Sequence, residues 1–426
     1  MVLGFGGWAA NLVIGAVSIV TLVFGAEVVV SKMEGVAKHY GVSEVVIAMT
    51  IVAVGTSLPE LALHVIGSLN ILASSGSLLD VFLVDPVATF LGSHSTAVTA
   101  LANQTAVSSS VAVNSTQTYL TTSGTVLGAN IGSDVVQQTL VLGLVIISSA
   151  LLAKKHSFRF SRKFLIRDYA PMMGTTLMTL ILALNWEGVL AFLSGGSLNA
   201  GGLLTRVDGL ILVGSFVAYM FYLYTTRKEE LAEQGDTEPS KRPLLDFFMG
   251  IGAMMLVIVS AEVFLRVVEV VVAETGLSGS MIGVASVGVV SAFPEMITAI
   301  SGLRHGSEGI SLGTLIGSNI TNPLLAIGLG SMISTYAVPR PLVLWDLPME
   351  TLTAGVLLTY MFSKEAIGDF LAKPFRFIGL EAVAERLEAT ENRVVSVASA
   401  FLLVVLYVVY LYVRFNYFQY DFAHGG

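Results

Sequence analysis

The chain contains no cysteine among its 426 residues. This absence excludes disulfide bonds, thiolate metal sites and cysteine nucleophiles, but it leaves the cellular compartment undetermined. Charged residues are also scarce, at 12% of the chain, against about 25% in typical soluble domains. Hydrophobic residues make up 54%, so the composition indicates an integral membrane protein embedded in a lipid bilayer. The net charge of −8 identifies no partner, and we expect no nucleic acid, no obligatory protein partner and no cofactor.

The apolar segments also lack the motifs of intramembrane hydrolases. They contain no His-Glu-x-x-His, Gly-x-Ser-x-Gly or paired-aspartate pattern, so we expect that the protein is not an enzyme. No basic residue precedes the first apolar stretch. We therefore expect this stretch to be retained as a helix rather than cleaved as a signal peptide.

Ten segments come close to the roughly 20 apolar residues that a transmembrane helix requires. The predicted spans are 8–30, 44–70, 123–149, 169–187, 206–225, 245–272, 280–303, 310–333, 344–362 and 394–413. Most of the 22 lysine and arginine residues lie in loops that follow odd-numbered spans. The positive-inside rule then predicts a multi-pass protein of the cell membrane with both termini extracellular.

Glu60 lies deep within the second predicted span, at the end of the sequence Gly-Thr-Ser-Leu-Pro-Glu. An ionised carboxylate at this depth costs about 2.5 to 3.5 kcal/mol on insertion scales, so a functional role is the default interpretation. Gly55 and Pro59 weaken the helix and free backbone carbonyls close to the hydroxyls of Thr56 and Ser57. Such hard oxygen ligands suit Ca²⁺ and Na⁺.

A second Pro-Glu pair ends at Glu295, 235 positions after Glu60, and the same offset relates Gly41 to Gly276. The sequence Gly-Ala-Asn-Ile-Gly-Ser at 128–133 is matched at 313–318, an offset of 185. The chain therefore contains two copies of one unit, and the first copy carries an insertion of about 50 residues. With five spans each, the copies enter the membrane in opposite directions. The predicted fold is an all-α integral membrane protein with ten transmembrane helices as two inverted five-helix repeats, which place a substrate site at the midplane between broken helices.

The repeats define the predicted domains. The first repeat covers 1–225 and includes an extracellular insertion at about 71–122, which we interpret as a solvated surface excursion, with a gating or partner-binding role as the alternative. A cytoplasmic linker at 226–243 follows. The second repeat covers 244–426 and includes a cytoplasmic amphipathic segment at about 364–392.

These motifs resemble the α-repeats of the cation/calcium exchanger superfamily, most closely its sodium/calcium exchanger branch. The resemblance rests on the two Pro-Glu motifs and on the Gly-Ser motifs of spans 3 and 8. It implies ten helices that carry Ca²⁺ against Na⁺, or against H⁺ in another branch, by alternating access. It also implies that spans 1 and 6 slide against the other eight.

The resemblance further implies a set of cation ligands, assigned position by position: the carbonyl of Ala53 with Thr56, Ser57 and Glu60, then Gly288, Ser291 and Glu295, and finally Ser133 with Gln137 and Ser318 with Asn322. Members of the last two pairs are four residues apart, so each pair shares a helix face. The glycines of the same motifs would let these faces approach the broken helices closely, namely Gly128, Gly132, Gly313 and Gly317.

Three positions depart from the family pattern. Ala292 replaces a hydroxyl residue, Asn322 stands where exchangers of this branch often have an acid, and Asp134 stands where an asparagine is usual. The two glutamates balance one Ca²⁺, two Na⁺ or two H⁺, so we expect an exchange closer to two monovalent ions per Ca²⁺ than to three.

Two further residues leave alternatives open. Asp134 could be a third, protonatable ligand, or an acid that faces a water cavity or a helix N-terminus. His64, one turn after Glu60, could influence its protonation and favour H⁺ coupling, or it could simply bond to a backbone carbonyl. Glu27 and Glu262, related by the repeat, could line an access path, although Glu262 could equally pair with Arg266 at i+4.

The sequence thus predicts a secondary active antiporter that exchanges Ca²⁺ for Na⁺ through a midplane site of two glutamates and surrounding oxygen ligands. The alternatives are an H⁺-coupled exchanger of Ca²⁺ or another divalent cation, and a Ca²⁺ channel. A channel requires a symmetric filter ring, whereas this chain offers one glutamate per repeat.

Overall fold

The computed structural model describes residues 7–41, 57–74, 109–152, 157–160, 169–186, 190, 193–194, 201–226, 239–304, 308–355, 376, 381 and 393–421. Its main α-helices are α1 (Gly7–His39), α2 (Leu58–Ser74), α3 (Ser109–Val136), α4 (Leu142–Leu152), α5 (Ala170–Ala183), α6 (Arg206–Thr226), α7 (Pro243–Thr275), α8 (Gly279–Ile282), α9 (Gly288–Ser291), α10 (Phe293–Arg304), α11 (Glu308–Thr321), α12 (Gly328–Ile333), α13 (347–355) and α14 (Val397–Tyr417). Four π-helical turns lie next to these helices, at Gln137–Val141, Gly283–Val287, Asn322–Ile327 and Leu342–Asp346.

Within the described residues, five helices are long and apolar enough to cross a membrane. They are Ala10–His39, Gln117–Ser149, Arg206–Thr225, Gly279–Ile297 and Ala400–Tyr417, and they coincide with predicted spans 1, 3, 5, 7 and 10. The other predicted spans are also largely helical where they are described, with non-helical residues at Ser57 and at 184–185. The count of ten spans and their inverted order stay predictions.

Four short strands modify the predicted all-α class. Strand β1 (Ser157–Phe160) pairs antiparallel with β4 (Arg393–Ser396), and β2 (Gly202–Leu204) pairs antiparallel with β3 (Tyr336–Val338). These strands lie in connections between helices, where extended backbone would otherwise leave its polar groups unpaired.

Helices α1 and α7 pack against each other along their lengths. Their contacts run antiparallel: Gly15 faces Val267, whereas Gly250 faces Lys32 and Met33. The offset of 235 converts Gly15 into Gly250 and Lys32 into Val267, so the two contacts are equivalent under the sequence repeat. This equivalence of the two contacts is expected when a two-fold axis relates the two halves of the chain.

Both helices of this pair are followed by a glycine with left-handed backbone. Gly41 has φ 75° and Gly276 has φ 70°, and the Gly276 N–H donates to the Val272 carbonyl. A side chain is disfavoured at this backbone conformation, which explains why glycine stands at both positions. The two glycines are the pair that the sequence repeat matches.

Helix α3 begins at Ser109, well inside the predicted insertion at 71–122. The polar residues of its middle section are buried, and the Thr125 hydroxyl donates to the Thr121 carbonyl over 2.8 Å. Threonine hydroxyls that bond to the backbone one turn earlier allow such a polar stretch to remain helical in an apolar environment. Composition alone therefore set the end of the insertion too late.

Several predicted features lie outside the described residues. These are insertion residues 75–108, linker residues 227–238, the amphipathic segment 364–392 apart from Arg376 and Glu381, and the expected ligands Ala53 and Thr56.

A buried ionic network joins α14 to the helices around the centre of the molecule. Arg414 is fully buried, and its Nε donates to Asp346 Oδ2 over 2.9 Å. The Tyr410 hydroxyl donates to the other Asp346 oxygen over 2.7 Å. Arg414 also donates to the Ser280 hydroxyl, which itself bonds to Asp421. The network holds the C-terminal helix against α8.

Candidate cation site

Both predicted glutamates lie in the first turn of a helix that follows a turn residue. Ser57 forms a turn immediately before α2, and Glu60 is in the first turn of that helix. In the second repeat, the turn residue Ala292 separates α9 from α10, and Glu295 lies in the first turn of α10. The proline before each glutamate suits this position, where its missing N–H removes no helical hydrogen bond. A helix N-terminus also attracts negative charge.

The two carboxylates are buried, with 1% relative exposure at both Glu60 and Glu295, and they lie within electrostatic reach of each other. The hydroxyls of Ser133 and Ser291 face Glu60. Among the described residues, neither Glu60 oxygen accepts a hydrogen bond of ordinary geometry, and neither Glu295 Oε2 nor the Ser57 hydroxyl has a partner. Buried polar atoms normally have hydrogen-bond partners, so we expect these oxygens to bind a ligand.

Hydrogen bonds connect the serines of the two repeats. The Ser291 hydroxyl donates to Ser133 Oγ over 3.2 Å. The Gln137 amide donates to Ser133 over 3.1 Å and to Ser318 over 3.2 Å. Ser318 in turn donates to Glu295 Oε1 over 3.2 Å. The structure therefore brings together ligand candidates from α3, α9, α10 and α11.

The Gln137 side chain presents its amide N–H₂, rather than its oxygen, to these serines. Its oxygen instead accepts a 2.9 Å bond from Asn319, whose own side-chain oxygen accepts from Gln138. Coordination by the Gln137 oxygen requires the amide to turn over. Gly288, another expected ligand, packs against the backbone of Gly132 and Ser133.

Asn322 lies between Asp134 and Ser318. Its amide nitrogen donates to Asp134 Oδ1 over 2.7 Å and lies 3.5 Å from the Ser318 hydroxyl. Asp134 is fully buried and also meets the carboxyl group of Glu350, which is 1% exposed. Asp134 thus faces another acid, an arrangement that sequence reasoning did not anticipate.

Glu350 lies inside predicted span 9, and we did not select it from the sequence. It has no counterpart in the other repeat, so the repeat comparison could not find it. A carboxylate in an apolar span is itself a signal of function, and that signal would have identified Glu350.

Among the described residues, His64 forms no hydrogen bond with Glu60. Its Nδ1 lies 3.1 Å from the Tyr336 hydroxyl, which donates to the His64 carbonyl and lies 2.6 Å from the Ser68 hydroxyl. Ser68 donates to the Gly330 carbonyl. The His64 side chain thus bonds to a tyrosine hydroxyl rather than to the backbone carbonyl considered as its partner, and these bonds join α2 to α12 and β3.

The two repeat-related glutamates of the α1 and α7 pair have different surroundings. Glu262 accepts bonds from Arg266 at 2.5 Å and from Asn70 at 2.6 Å, so the predicted i+4 pair forms. Glu27 is exposed and lies within electrostatic reach of Glu295.

Glycines allow α3 to approach the broken helix of the second repeat. A methyl group at Gly132 would lie 2.7 Å from the Val284 Cα, and one at Gly128 would collide with the Ser280 carbonyl. For Gly317, no described atom lies within 4 Å of a methyl group built there. The broken helix of the first repeat, which we expect to face Gly317, lies outside the described residues, as do the surroundings of Gly313. The described structure therefore shows the close approach on the α3 side, where the segment from α8 to α9 provides a facing backbone.

Comparison with known families identifies the protein class. Residues 10–99 and 245–416, more than half of the chain, match the family described as sodium/calcium exchanger protein. The chain belongs to this sodium/calcium exchanger family. The family resemblance predicted from the sequence is thereby confirmed, and with it the reading of a multi-pass membrane transporter rather than an enzyme at the level of the family.

Several relatives align with this chain over most of its length. Inner membrane protein YrbG of Escherichia coli is 23% identical over 330 residues, which cover 75% of this chain and 78% of the relative. Sodium/calcium exchanger MaX1 of Methanosarcina acetivorans is 23% identical over 382 residues, which cover 82% and 91%. The crystal structure of H⁺/Ca²⁺ exchanger CAX superposes with a TM-score of 0.55 at 17% identity, covering 94% of this chain and 82% of that one. This similarity shows a shared fold.

Proposed function

We propose that the chain is a secondary active antiporter that exchanges Ca²⁺ for Na⁺ by alternating access, with Glu60 and Glu295 at the centre of the cation site. The observation that carries this proposal is the pair of buried carboxylates with unpartnered oxygens in the first turns of two helices. Two carboxylates in an apolar interior repel each other and lack solvation. A Ca²⁺ ion, or two Na⁺ ions in its place, neutralises both.

The surrounding hydroxyls complete the proposed oxygen shell. Ca²⁺ takes about six to eight oxygen ligands. The hydroxyls of Ser133, Ser291 and Ser318 lie close to the glutamates or bond to one another around them, and Ser57 precedes Glu60 by three residues. The other proposed ligands are Ala53, Thr56, Gly288, Gln137 and Asn322.

Alternating access is proposed to involve α1 and α7, which pack as an antiparallel pair with equivalent glycine contacts. A two-fold relation lets one sliding movement open the site to one side of the membrane while it closes the other. We further propose that both termini are extracellular, because most basic residues fall in loops on the opposite side.

The relatives support Ca²⁺ exchange with either counter-ion, since MaX1 is named a sodium/calcium exchanger and CAX an H⁺/Ca²⁺ exchanger. We favour Na⁺, because the histidine considered as a proton relay bonds to Tyr336 and not to Glu60. H⁺ coupling is the alternative that the test below separates.

The test is ⁴⁵Ca²⁺ uptake into proteoliposomes loaded with Na⁺, compared with vesicles loaded with choline and with vesicles under an imposed pH gradient. We expect uptake that requires internal Na⁺, both in the wild type and in Glu274→Gln, an exposed change near the end of α7. Uptake that follows the pH gradient without Na⁺ would contradict Na⁺ coupling. The absence of uptake under every gradient would contradict the exchange itself.

A further inference from the structure

A second group of buried carboxyl and amide oxygens lies beside the central glutamates. Asp134 and Glu350 are 0% and 1% exposed, and their carboxyl groups meet each other. Asp134 follows Ser133 directly in α3 and lies within electrostatic reach of Glu60. The group is therefore next to the central site but uses different acids.

This group is short of hydrogen-bond donors. Among the described residues, the Asn322 amide is the donor to Asp134, at 2.7 Å, while Asp134 Oδ2 and both Glu350 oxygens have no partner other than each other's carboxyl group. The side-chain oxygens of Asn322 and Asn130 are likewise buried without a partner. The Asn130 amide nitrogen donates to the Asn322 carbonyl over 3.2 Å, which holds the two asparagines together.

The buried arginine of the described residues, Arg414, already binds another acid. Asp346, one turn before Glu350, is bonded to Arg414 at 2.9 Å. Two facing carboxylates are unfavourable in an apolar interior unless a proton or a metal cation joins them.

We infer that Asp134 and Glu350, together with the amide oxygens of Asn322 and Asn130, bind an alkali-metal cation, with Na⁺ as the physiological ion. This inference rests on the proposed function, in which Na⁺ is the counter-ion, and it adds a site with acids of its own. Oxygen-only coordination from carboxylates and amides suits a hard cation. A monovalent ion fits better than a second divalent ion, because repulsion from a Ca²⁺ held nearby scales with the product of the two charges.

The site also explains a departure in the sequence. The acid that the resemblance would lead us to expect at position 322 is absent, and Asn322 instead contacts Asp134 on the neighbouring helix. The negative charge thus lies at position 134 on α3 rather than at position 322, and Glu350 on α13 supplements it. The expected ratio of two monovalent ions per Ca²⁺ was based on the two central glutamates alone and did not include Asp134 and Glu350.

The test measures ²²Na⁺ binding to purified protein in detergent by equilibrium dialysis, with N-methyl-D-glucamine replacing Na⁺ at constant ionic strength. The background variant carries Glu60→Gln and Glu295→Gln, which neutralises the central site. We expect this background to retain one bound Na⁺ per chain and to lose it when Glu350→Gln is added. Glu274→Gln, the exposed control, is expected to leave the bound Na⁺ in place.

Thermal unfolding supplies a second readout. A bound cation stabilises the folded state, so Na⁺ should raise the unfolding midpoint of the background and not that of the variant with Glu350→Gln. The new amide can donate to Asp134, so this variant should be at least as stable as the background without Na⁺. If the background does not fold, wild type and Glu350→Gln are compared directly, and loss of one Na⁺ per chain with Ca²⁺ binding retained supports the site.

Equal Na⁺ binding with and without Glu350→Gln would overturn the inference and leave the two acids sharing a proton. Simultaneous loss of Ca²⁺ and Na⁺ binding in the single variant would overturn a separate site. Failure of Na⁺-driven Ca²⁺ uptake by the wild type would refute the proposed exchange without altering the Na⁺ count, so the two failures are distinguishable.

Discussion

Substitution of Gly132 by alanine should disturb the cation site without touching any proposed ligand. A methyl group at this position would lie 2.7 Å from the Val284 Cα and 3.0 Å from its carbonyl oxygen. Carbon atoms in contact prefer about 3.5 to 4.0 Å, so the two helices must separate by about 0.8 Å. Both clashing atoms belong to the backbone, and no side-chain rotation can relieve them.

The separation has two expected consequences. Overpacking costs about 1 to 3 kcal/mol, and the better helix propensity of alanine returns roughly 1 kcal/mol, so we expect a net loss of stability of up to about 2 kcal/mol. The bond between Ser291 and Ser133 is already 3.2 Å long, and a further 0.8 Å, roughly, breaks it. Loss of an aligned hydroxyl at a charged site should cost about 1.5 to 3 kcal/mol of binding free energy, which lowers the Ca²⁺ affinity about tenfold or more.

The control is Gly214→Ala, because Gly214 is exposed within α6 and a methyl group there meets no described atom within 4 Å. Unfolding midpoints in detergent and ⁴⁵Ca²⁺ binding are measured for both variants. We expect Gly214→Ala to bind like the wild type. Equal binding and equal stability of the two variants would refute the packing argument.

The other predictions concern residues outside the central pair. His64→Gln should lower stability by about 1 kcal/mol because it loses the contact with Tyr336, and Na⁺-driven uptake should persist. A change of the driving ion in this variant would instead support the proton-relay role of His64. Arg414→Met leaves Asp346 buried and unpaired and should cost about 3 to 5 kcal/mol of unfolding free energy. Arg266→Met removes an exposed pair and should cost about 0 to 1 kcal/mol. Similar midpoints for the two arginine variants would contradict this ranking by burial.

The repeat made the centre of the site predictable from the sequence. The offset that relates Glu60 to Glu295 also relates Gly41 to Gly276, and the structure gives both glycines the same backbone conformation. Acids in an apolar segment are costly wherever the segment packs. Their importance could therefore be inferred without knowing their neighbours.

Contacts between distant segments could not be predicted in the same way. Tyr336 is 272 positions from His64, and no local pattern shows that the two side chains meet. The same holds for Glu350 and Asp134, which come from helices without a repeat relation. The early start of α3 was missed because the stretch from Ser109 is rich in serine and threonine, whose hydroxyls can bond to the helix backbone.

The central claim is that Glu60 and Glu295 hold the transported Ca²⁺. It is tested most directly by exchange of external ⁴⁵Ca²⁺ for unlabelled Ca²⁺ inside proteoliposomes, without a Na⁺ or pH gradient, because this exchange does not depend on the coupling ion. We predict that Glu60→Gln and Glu295→Gln each abolish it and that Glu274→Gln preserves it. Exchange at the wild-type rate in either glutamine variant of the central pair would contradict the assignment of the site.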